Sequence, residues 1–394
     1  MIYFAGERWA RSPTGAGAIV KPADSLRLAF VGDICLGMGW PERLRVHGAG
    51  HPFAHVRDLL RDADLTVGNL ECCFVDESCP VESRRHKMSV PAEYAEGLAA
   101  SGFSGLNLAN NHMLDCGAEG LAATARALEA VGISHFGAGS DLGAAIRNAT
   151  LEHDGRRVAL LGVGDTSRYY AGRDRPGIAP MRRALLAEGL HEAASDADLV
   201  VVSLHADLEF SPVPAAWRRR LSRWLIRQGA DLVIQHHPHV LQGIEEYRGG
   251  LIAYSLGNFV FDISGSSYQR RRPGVFDSIV LRVDASFEGD RPSLSWHAVP
   301  LRIGNDGRPD RLDGAAGRAA LERLQQLSSW VRDAGRARRA WRRRCIREVV
   351  GNGRGIYYTT RRDGVGPGFR RLRRLLSTSE DWRWLFGLMT LGFR

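Results

Sequence analysis

The sequence lacks the features of a membrane-spanning or secreted chain. Its 394 residues contain no apolar run of about 18 residues, the length that a helix needs to cross a bilayer. The N-terminal stretch MIYFAGERWARSPTGAG has no continuous apolar segment behind a basic head, which a secretory signal would have. We therefore expect a cytoplasmic protein.

Cysteine is scarce and is not placed for a disulfide framework or a structural zinc site. The chain has six cysteines, and no two of them form a CxxC pair or a zinc-finger spacing. We interpret them as reduced thiols, most of them small core residues. The phosphate-binding pattern GxxxxGK[ST] is also absent, so the sequence gives no indication of ATP binding.

The positive charge is unevenly distributed along the chain. Residues 331–394 contain 17 arginines and 5 acidic residues, a net charge of +12, which leaves −3 for the first 330 residues out of the total of +9. We therefore predict a near-neutral body over residues 26–330. A short N-terminal lead, residues 1–25, precedes it, and an Arg-rich C-terminal extension, residues 331–394, follows it.

Residues 26–300 alternate short apolar runs with helix-like stretches that end at Gly. The apolar runs are rich in Val, Ile and Leu and rarely alternate with polar residues, which is typical of strands buried on both faces. The predicted strands are LRLAFVG, LTVGNL, GLNLA, RVALLGV, DLVVVSL, DLVIQ, LIAYSL and SIVLRV. This pattern predicts an α/β fold with layered sheets.

Polar side chains follow six of these strands, at the carboxyl ends where α/β sheets bind ligands. They are Asp33, Asn69, Glu71, Asn110, Asn111, His112, His205, His236, His237, His239 and Asn258. Imidazole and carboxylate groups suit Mn, Fe, Zn and similar ions, whereas thiolates would have indicated a structural zinc. Two such ions about 3.5–4 Å apart are a common means of hydrolysing phosphate esters.

Each of these residues also has a purely structural interpretation. The segment QHHPHVLQGIE could be a polar loop rich in His, Asp33 could cap a turn, and His112 could be a hydrogen-bonded core residue. Their shared position at strand ends favours a metal site, with His112 in catalysis. Asp115 either orients His112 or starts the following helix, and the sequence leaves both open.

Six motifs, in order along the chain, closely resemble those of the CapA family. They are FVGDICLG, GNLECCF, LANNHMLDCG, LHADLE, HHPHVLQGIE and YSLGNFVFD. This family is named for poly-γ-glutamate capsule synthesis and belongs to the calcineurin-like metallophosphoesterase superfamily. The resemblance covers roughly residues 26–328. It implies a metallophosphoesterase-like sandwich of two mixed sheets flanked by helices, with two divalent metal ions (Mn, Fe or Zn) where the loops converge.

The resemblance also implies roles for individual residues. The metal ligands that it implies are Asp33, Glu71, Asn111, His205, His237 and His239. Glu71 would be the bridging carboxylate and His112 the general acid, whereas His236 lies outside the pattern and is left out of the ligand set.

The chain departs from the family pattern at two places. Members usually have Trp-Gly where this chain has Ala206 and Asp207, and they commonly have Gly where it has Gln235. These changes could reshape the substrate pocket, and Asp207 could add a carboxylate near the metal.

The resemblance implies a hydrolase that acts on a phosphoester or an amide-linked substrate. Its substrate would be phosphorylated or a polymer precursor, in the biosynthesis of poly-γ-glutamate capsule or another surface polymer. Two other functions remain open. One is a generic cytoplasmic metallophosphoesterase, and the other is a non-catalytic assembly factor docked on the membrane.

The C-terminal extension mixes Arg with Trp, Leu and Phe. One interpretation is a solvated charged tail, disordered where GNGRG and GVGPG interrupt it. The apolar end WRWLFGLM favours an anionic membrane surface or membrane-bound machinery over nucleic acid, which we do not expect as a partner. The protein would then be peripheral at the membrane. The preceding stretch LERLQQLSSWVRDAG predicts an amphipathic helix that closes the body.

Overall fold

The computed structural model describes residues 2–5, 8–11, 25–85, 87–289 and 291–375, and the segment WRWLFGLM lies outside them. Within these residues the chain forms twenty strands, eleven α-helices and three 3-10 helices. The strands are β1 Ile2–Ala5, β2 Arg8–Arg11, β3 Ser25–Ile34, β4 Leu65–Leu70, β5 Cys73–Val75, β6 Ser89–Pro91, β7 Phe103–Asn107, β8 Ser134–Phe136, β9 Ala138–Gly139, β10 Ala149–His153, β11 Arg156–Gly164, β12 Gly177–Ile178, β13 Leu199–His205, β14 Leu232–His236, β15 Ile244–Tyr247, β16 Gly250–Ala253, β17 Asn258–Val260, β18 Asp277–Ser286, β19 Ser293–Ile303 and β20 Pro309–Arg311.

The helices lie mostly between strands. The α-helices are α1 Trp40–His47, α2 Arg57–Arg61, α3 Val81–Arg84, α4 Glu96–Ala100, α5 Gly117–Ala130, α6 Leu142–Ile146, α7 Arg183–Asp196, α8 Ala216–Arg227, α9 Gly314–Arg332, α10 Ala334–Asp363 and α11 Val365–Leu375. The 3-10 helices are His51–Phe53, Ala92–Ala95 and Ser167–Tyr169.

Most of the strands form two large mixed sheets. The first has ten strands in the order β2-β1-β19-β18-β3-β4-β7-β8, with β17 paired to β3 and β20 paired to β19. Its strands β3, β4, β7 and β8 run parallel, whereas β18 pairs antiparallel with β3. The second sheet has the order β10-β11-β13-β14-β16-β15, in which the four inner strands are parallel and the two edge strands antiparallel. Two small sheets pair β9 with β12 and β5 with β6.

The two sheets pack face to face because alternate residues of each strand enter a shared core. In β3, Leu26 and Phe30 lie between the sheets, whereas Val31 packs in a second core with side chains from α1, α2, α4 and α5. In β13, Val201 lies between the sheets and Val202 packs in a third core with side chains from α7 and α8. Each buried side chain of this size contributes about 1.5–3 kcal/mol. The predicted fold class, a sandwich of two mixed sheets flanked by helices, is confirmed.

The helix α9 closes the sandwich at one edge. Its residues Leu321, Leu324 and Leu327 recur every three positions and are buried in the core between the sheets. Ser328 on the same helix accepts a hydrogen bond from the amide of Ile244 in β15, at 2.9 Å. The stretch predicted to form a closing helix therefore does so.

The C-terminal extension is helical as far as the structure describes it. The helix α10 runs without interruption through GNGRG, so the break expected there is wrong. The other stretch, GVGPG, does interrupt the helix, because α10 ends before its first residue, Gly364, whose φ of +96° is rarely adopted by residues with a side chain. Ala337 and Cys345 of α10 are buried. None of the described helices is both long and apolar enough to cross a membrane.

Candidate metal centre

The strands of both sheets deliver polar side chains to one place. Asp33 lies near the end of β3, Glu71 directly follows β4, and His205 is the last residue of β13. His237 and His239 lie in the loop that follows β14. Because the carrying strands are parallel within each sheet, their carboxyl ends meet at one edge of the sandwich. The site is therefore a product of topology, with residues from distant parts of the chain.

Two overlapping groups of side chains can each hold a metal ion. One consists of Glu71, His205 and His237, and the other of Asp33, Glu71 and His239. In each group the ligand atoms lie within 4.8 Å of one another, and all these residues are buried. Glu71 belongs to both groups, which is the arrangement that a bridging carboxylate requires.

The remaining predicted ligand, Asn111, lies beside the first group. Its side-chain oxygen is 2.8 Å from Nε2 of His205. The structure therefore brings together all six residues that the resemblance assigns to the metal, and their roles as ligands remain predictions.

The unsatisfied atoms of Glu71 fit a bound cation. Both of its carboxylate oxygens are buried, and neither accepts a hydrogen bond from any residue that the structure describes. Nδ1 of His237 is buried in the same state. A buried carboxylate without a partner costs several kcal/mol, so such groups normally pair with a cation or coordinate a metal. The unpaired carboxylate of Glu71 and the unpaired Nδ1 of His237 therefore fit a divalent ion.

Burial controls the protonation of these side chains. It raises the pKa of Glu71 well above its ordinary value, and the neighbouring charge of Asp33 raises this pKa further. Burial also lowers the pKa of His205 and His237 well below the ordinary value for histidine. A neutral imidazole keeps the lone pair that a metal needs, and a nearby cation would stabilise the anionic form of Glu71.

Two asparagines orient the predicted ligands. Asn69 donates a hydrogen bond to Oδ1 of Asp33 at 2.9 Å and lies 3.2 Å from Nδ1 of His205. Oδ1 of Asn258 accepts a hydrogen bond from Nδ1 of His239 at 2.8 Å. This leaves Nε2 of His239, 3.9 Å from Oε1 of Glu71, free to face a metal. The sequence placed both asparagines at strand ends but gave them no role; their positions within the GNLE and LGN motifs were the available signal.

The GD motif requires Gly32 because β3 passes very close to the loop before β17. A Cβ atom on residue 32 would lie 1.9 Å from the carbonyl oxygen of Gly257. The amide of Asp33 donates to that same oxygen at 3.1 Å, and Asp33 is in register with Asn258. Two motifs that are far apart in sequence are thus held side by side at the site.

The HPH segment holds its two histidines in an unusual backbone conformation. His237 has a φ of +93° and His239 a φ of +55°, and both have a Cβ. Such conformations cost of order 1–3 kcal/mol each and occur mostly at functional sites. The amide of His237 donates to Oδ2 of Asp33 at 3.3 Å, which fixes the loop against β3.

His112 faces the two metal groups from the side. Its Nδ1 lies 2.7 Å from Oδ2 of Asp115, and its Nε2 lies 4.0 Å from Oε1 of Glu71. The hydroxyl of Tyr169 donates to the other oxygen of Asp115 at 3.3 Å. The cap residue of α5 is Cys116, with no side-chain hydrogen bond. Of the two roles left open for Asp115, the structure therefore supports the one that orients His112.

His236 lies behind Asp33, outside both metal groups. Its Nδ1 is 3.6 Å from Oδ1 of Asp33, and burial lowers its pKa to about 4. A neutral imidazole in this position fills the space behind the carboxylate of Asp33.

The departures from the family pattern also lie outside the two groups. Asp207 accepts hydrogen bonds from the amides of Leu208 at 2.8 Å and Ala215 at 2.7 Å. Its carboxylate is therefore engaged by the backbone and is in neither group. The side-chain amide of Gln235 donates to Ser222 of α8 at 2.7 Å. Neither residue adds a ligand to the site.

Comparisons with known proteins bear on the same part of the chain. The family described as "Bacterial capsule synthesis protein PGA_cap" matches residues 27–263. The chain is 34% identical over 314 residues to "Capsule biosynthesis protein CapA" of Bacillus anthracis, which covers 77% of this chain and 74% of that protein. It is 33% identical over 243 residues to "PGA biosynthesis protein CapA" of Bacillus subtilis (strain 168), which covers 61% of this chain and 64% of that protein.

Among solved structures, a novel phosphatase from Mycoplasma pneumoniae has a TM-score of 0.45 and 14% identity, over 76% of this chain and 96% of that one. The 5'-nucleotidase from Candida albicans SC5314 has a TM-score of 0.41 and 12% identity, over 77% of this chain and 58% of that one.

The match to the capsule synthesis family spans the strands that carry Asp33, Glu71 and the HPH segment, and it extends to residue 263. The chain belongs to the bacterial capsule synthesis (PGA_cap) family, as its six motifs predicted.

Proposed function

We propose that this chain is a hydrolase that uses two divalent metal ions in the synthesis of a capsule or another surface polymer. The observation that supports this most strongly is that Glu71 belongs to both groups of metal-binding side chains. Asp33 and His239 would hold one ion with Glu71. The ligands of the other would be Glu71, Asn111, His205 and His237. Nitrogen and oxygen donors of this kind suit Mn, Fe or Zn.

The side chains around these ions would position the substrate and move a proton. A pair of divalent ions, when bound, polarises the bond to be cleaved and lowers the pKa of water. His112 would then act as the general acid, because its Nε2 faces the site while Asp115 holds Nδ1. The side chain of His112 is 28% exposed, so a substrate can reach it.

The names of the relatives support a proposal for the substrate class. Their names place them in capsule or PGA biosynthesis. We therefore propose a phosphorylated or amide-linked polymer precursor as the substrate of this chain. A generic cytoplasmic phosphoesterase and a non-catalytic assembly factor would share the same fold, and the experiment below separates them.

We also propose that the C-terminal extension docks on an anionic membrane surface, which would make the protein peripheral at the membrane. The apolar residues Val350, Tyr357 and Tyr358 of α10 are 47%, 55% and 67% exposed. They lie on a helix that carries many arginines. Exposed aromatic and basic side chains on one helix are typical of binding at the interface of anionic lipids.

The experiment is a turnover assay on the purified protein with added manganese. An aryl phosphate should be hydrolysed, and His112→Ala should lower this turnover. The exposed His191 provides a matched control, since His191→Ala removes an imidazole on α7, outside the six motifs. Turnover of aryl phosphate without turnover of polymer precursors would support the generic enzyme. Metal binding without any turnover would support the assembly factor.

A further inference from the structure

A pocket lies beside the metal centre, between the body and α10. Its volume is about 590 Å³, and we call it the arginine pocket. It is lined by Arg272, Arg323, Arg343, Arg344 and Arg347, together with apolar side chains. Phe210 and Val240 form the wall toward the metal centre. The ring of Phe210 lies 6.1 Å from the ring of His239, so the pocket and the metal centre share this wall.

The positive charges of the arginine pocket come from three separate elements. Arg272 lies in the loop between β17 and β18, Arg323 lies on α9, and the other three lie on α10. Asp277 is the one acidic residue among the described residues of the lining, and it already faces Arg302 at 3.9 Å. Like charges brought into one cavity repel each other, and a bound anion relieves this repulsion. The charge pattern therefore favours an anionic ligand.

Two of these arginines lie against aromatic rings. The guanidinium of Arg272 lies 5.1 Å from the ring centre of Phe210, and that of Arg323 lies 5.0 Å from the ring centre of Trp330. A stacked guanidinium leaves its N–H edge available for a carboxylate or a phosphate.

The apolar part of the lining restricts the ligand further. Leu241, Leu327 and Trp330 face the same cavity as the arginines. Inorganic phosphate has no group that could cover this surface. A chain that carries carboxylates on short methylene stems offers both an anionic group for each guanidinium and apolar carbon for the wall.

We propose that the arginine pocket binds an acidic peptide chain alongside the metal centre. This is a binding site additional to the proposed hydrolytic centre, and it requires no turnover. The shared wall at Phe210 places a chain bound there next to the loop that carries His237 and His239. A phosphate-bearing ligand, which guanidinium groups also recognise, is the alternative that the test separates.

The test measures the binding of a fluorescently labelled hexaglutamate peptide to the full-length protein by fluorescence anisotropy. Arg343→Gln with Arg347→Gln removes two charges from the pocket. Arg338→Gln with Arg342→Gln removes two exposed charges from the same helix, outside the lining. The first pair should weaken binding by at least about tenfold, which corresponds to about 1.4 kcal/mol. The second pair should weaken it by less than about threefold, as expected for a general charge effect.

A third variant separates a local loss from a displaced helix. Arg323→Gln changes the wall on α9 and should also weaken binding, although it leaves α10 unaltered. Circular dichroism and thermal unfolding check that each variant is folded. Equal losses in the two double variants, or no saturable binding to the unaltered protein, would overturn the site. Competition by tripolyphosphate as strong as that by unlabelled hexaglutamate would overturn the assignment to an acidic peptide.

Discussion

The contact between His112 and Asp115 predicts a graded loss of hydrolysis. The two side chains approach to 2.7 Å, and Nε2 of His112 faces Glu71. A hydrogen bond to a charged group contributes about 1.5–3 kcal/mol. Since about 1.36 kcal/mol corresponds to a tenfold change in rate, Asp115→Asn should lower kcat by about 10- to 100-fold. His112→Ala removes the proton donor itself and should lower kcat by about 10²- to 10⁴-fold.

The assay compares two phosphate esters that differ in leaving group. Nitrophenolate leaves readily without protonation, whereas an alkoxide needs a proton from an acid. The loss in His112→Ala should therefore be larger for an alkyl phosphate than for p-nitrophenyl phosphate. Tyr169→Phe removes a hydroxyl that lies 3.3 Å from the other oxygen of Asp115, and its loss should stay below about tenfold.

The same variants should keep their metal. Elemental analysis of His112→Ala and Asp115→Asn should give the metal content of the unaltered protein, because neither residue belongs to the two metal groups. Equal losses on both esters would refute the role of His112 as an acid. Activity that disappears together with the metal would show that His112 is a ligand.

Three further predictions concern metal, pH and membranes. His239→Ala and Asp33→Asn should each lower the metal content from close to two ions per chain, whereas His191→Ala, at an exposed position, should leave it unchanged. An unchanged metal content in the first two variants, measured by elemental analysis, would refute the assignment of these residues as ligands. Burial raises the pKa of Asp231 from 3.8 to about 6, so the fold should lose stability as the pH rises through that interval. Asp231→Asn keeps an acceptor for the amide of Val200. The variant should be more stable than the unaltered protein at pH 8, by on the order of 3 kcal/mol, but not at pH 4. Thermal unfolding at both pH values checks this, and an equal difference in stability at both would contradict it. Tyr357→Ser with Tyr358→Ser should reduce co-sedimentation with anionic vesicles, and undiminished pelleting would show that this part of α10 is not the docking surface.

The eight strands predicted from the sequence all form, because each is an apolar run buried on both faces. The strand β19 was not predicted, since His297 and Pro300 interrupt its apolar residues. Its ten paired residues with β18 outweigh this weak local preference. The short edge strand β15, with the sequence IEEY, was not predicted because two Glu residues separate its apolar residues.

The candidate site was predictable in its residues but not in its connections. The rule that ligands collect at strand ends needs only the strand boundaries, and these are visible in the sequence. The pairing of Asn69 with Asp33 and of Asn258 with His239 depends on the register between distant strands. The positive φ values in the HPH segment likewise follow from the assembled fold, since neither histidine favours them locally.

Asp207 shows how a departure from the family pattern can be stable. Its φ of +95° would suit the Gly that the resemblance leads one to expect, and holding Asp there costs about 1–3 kcal/mol. Its carboxylate, however, lies 3.5 Å from Nη1 of Arg218, a fully buried guanidinium. Without Asp207 the buried charge of Arg218 would lose its ionic partner, at a cost of about 3–5 kcal/mol, which is larger than the strain.

The same carboxylate also contacts the C-terminal extension. Nε1 of Trp341 on α10 donates to Oδ1 of Asp207 at 3.3 Å, and Nε of Arg344 donates to the carbonyl oxygen of Glu209 at 3.2 Å. Both contacts fall on the segment that directly follows His205. A Gly at position 207 could make neither the ion pair nor the bond to Trp341. The aspartate is therefore best understood as part of the docking of α10, a helix that lies beyond the region matched to the family.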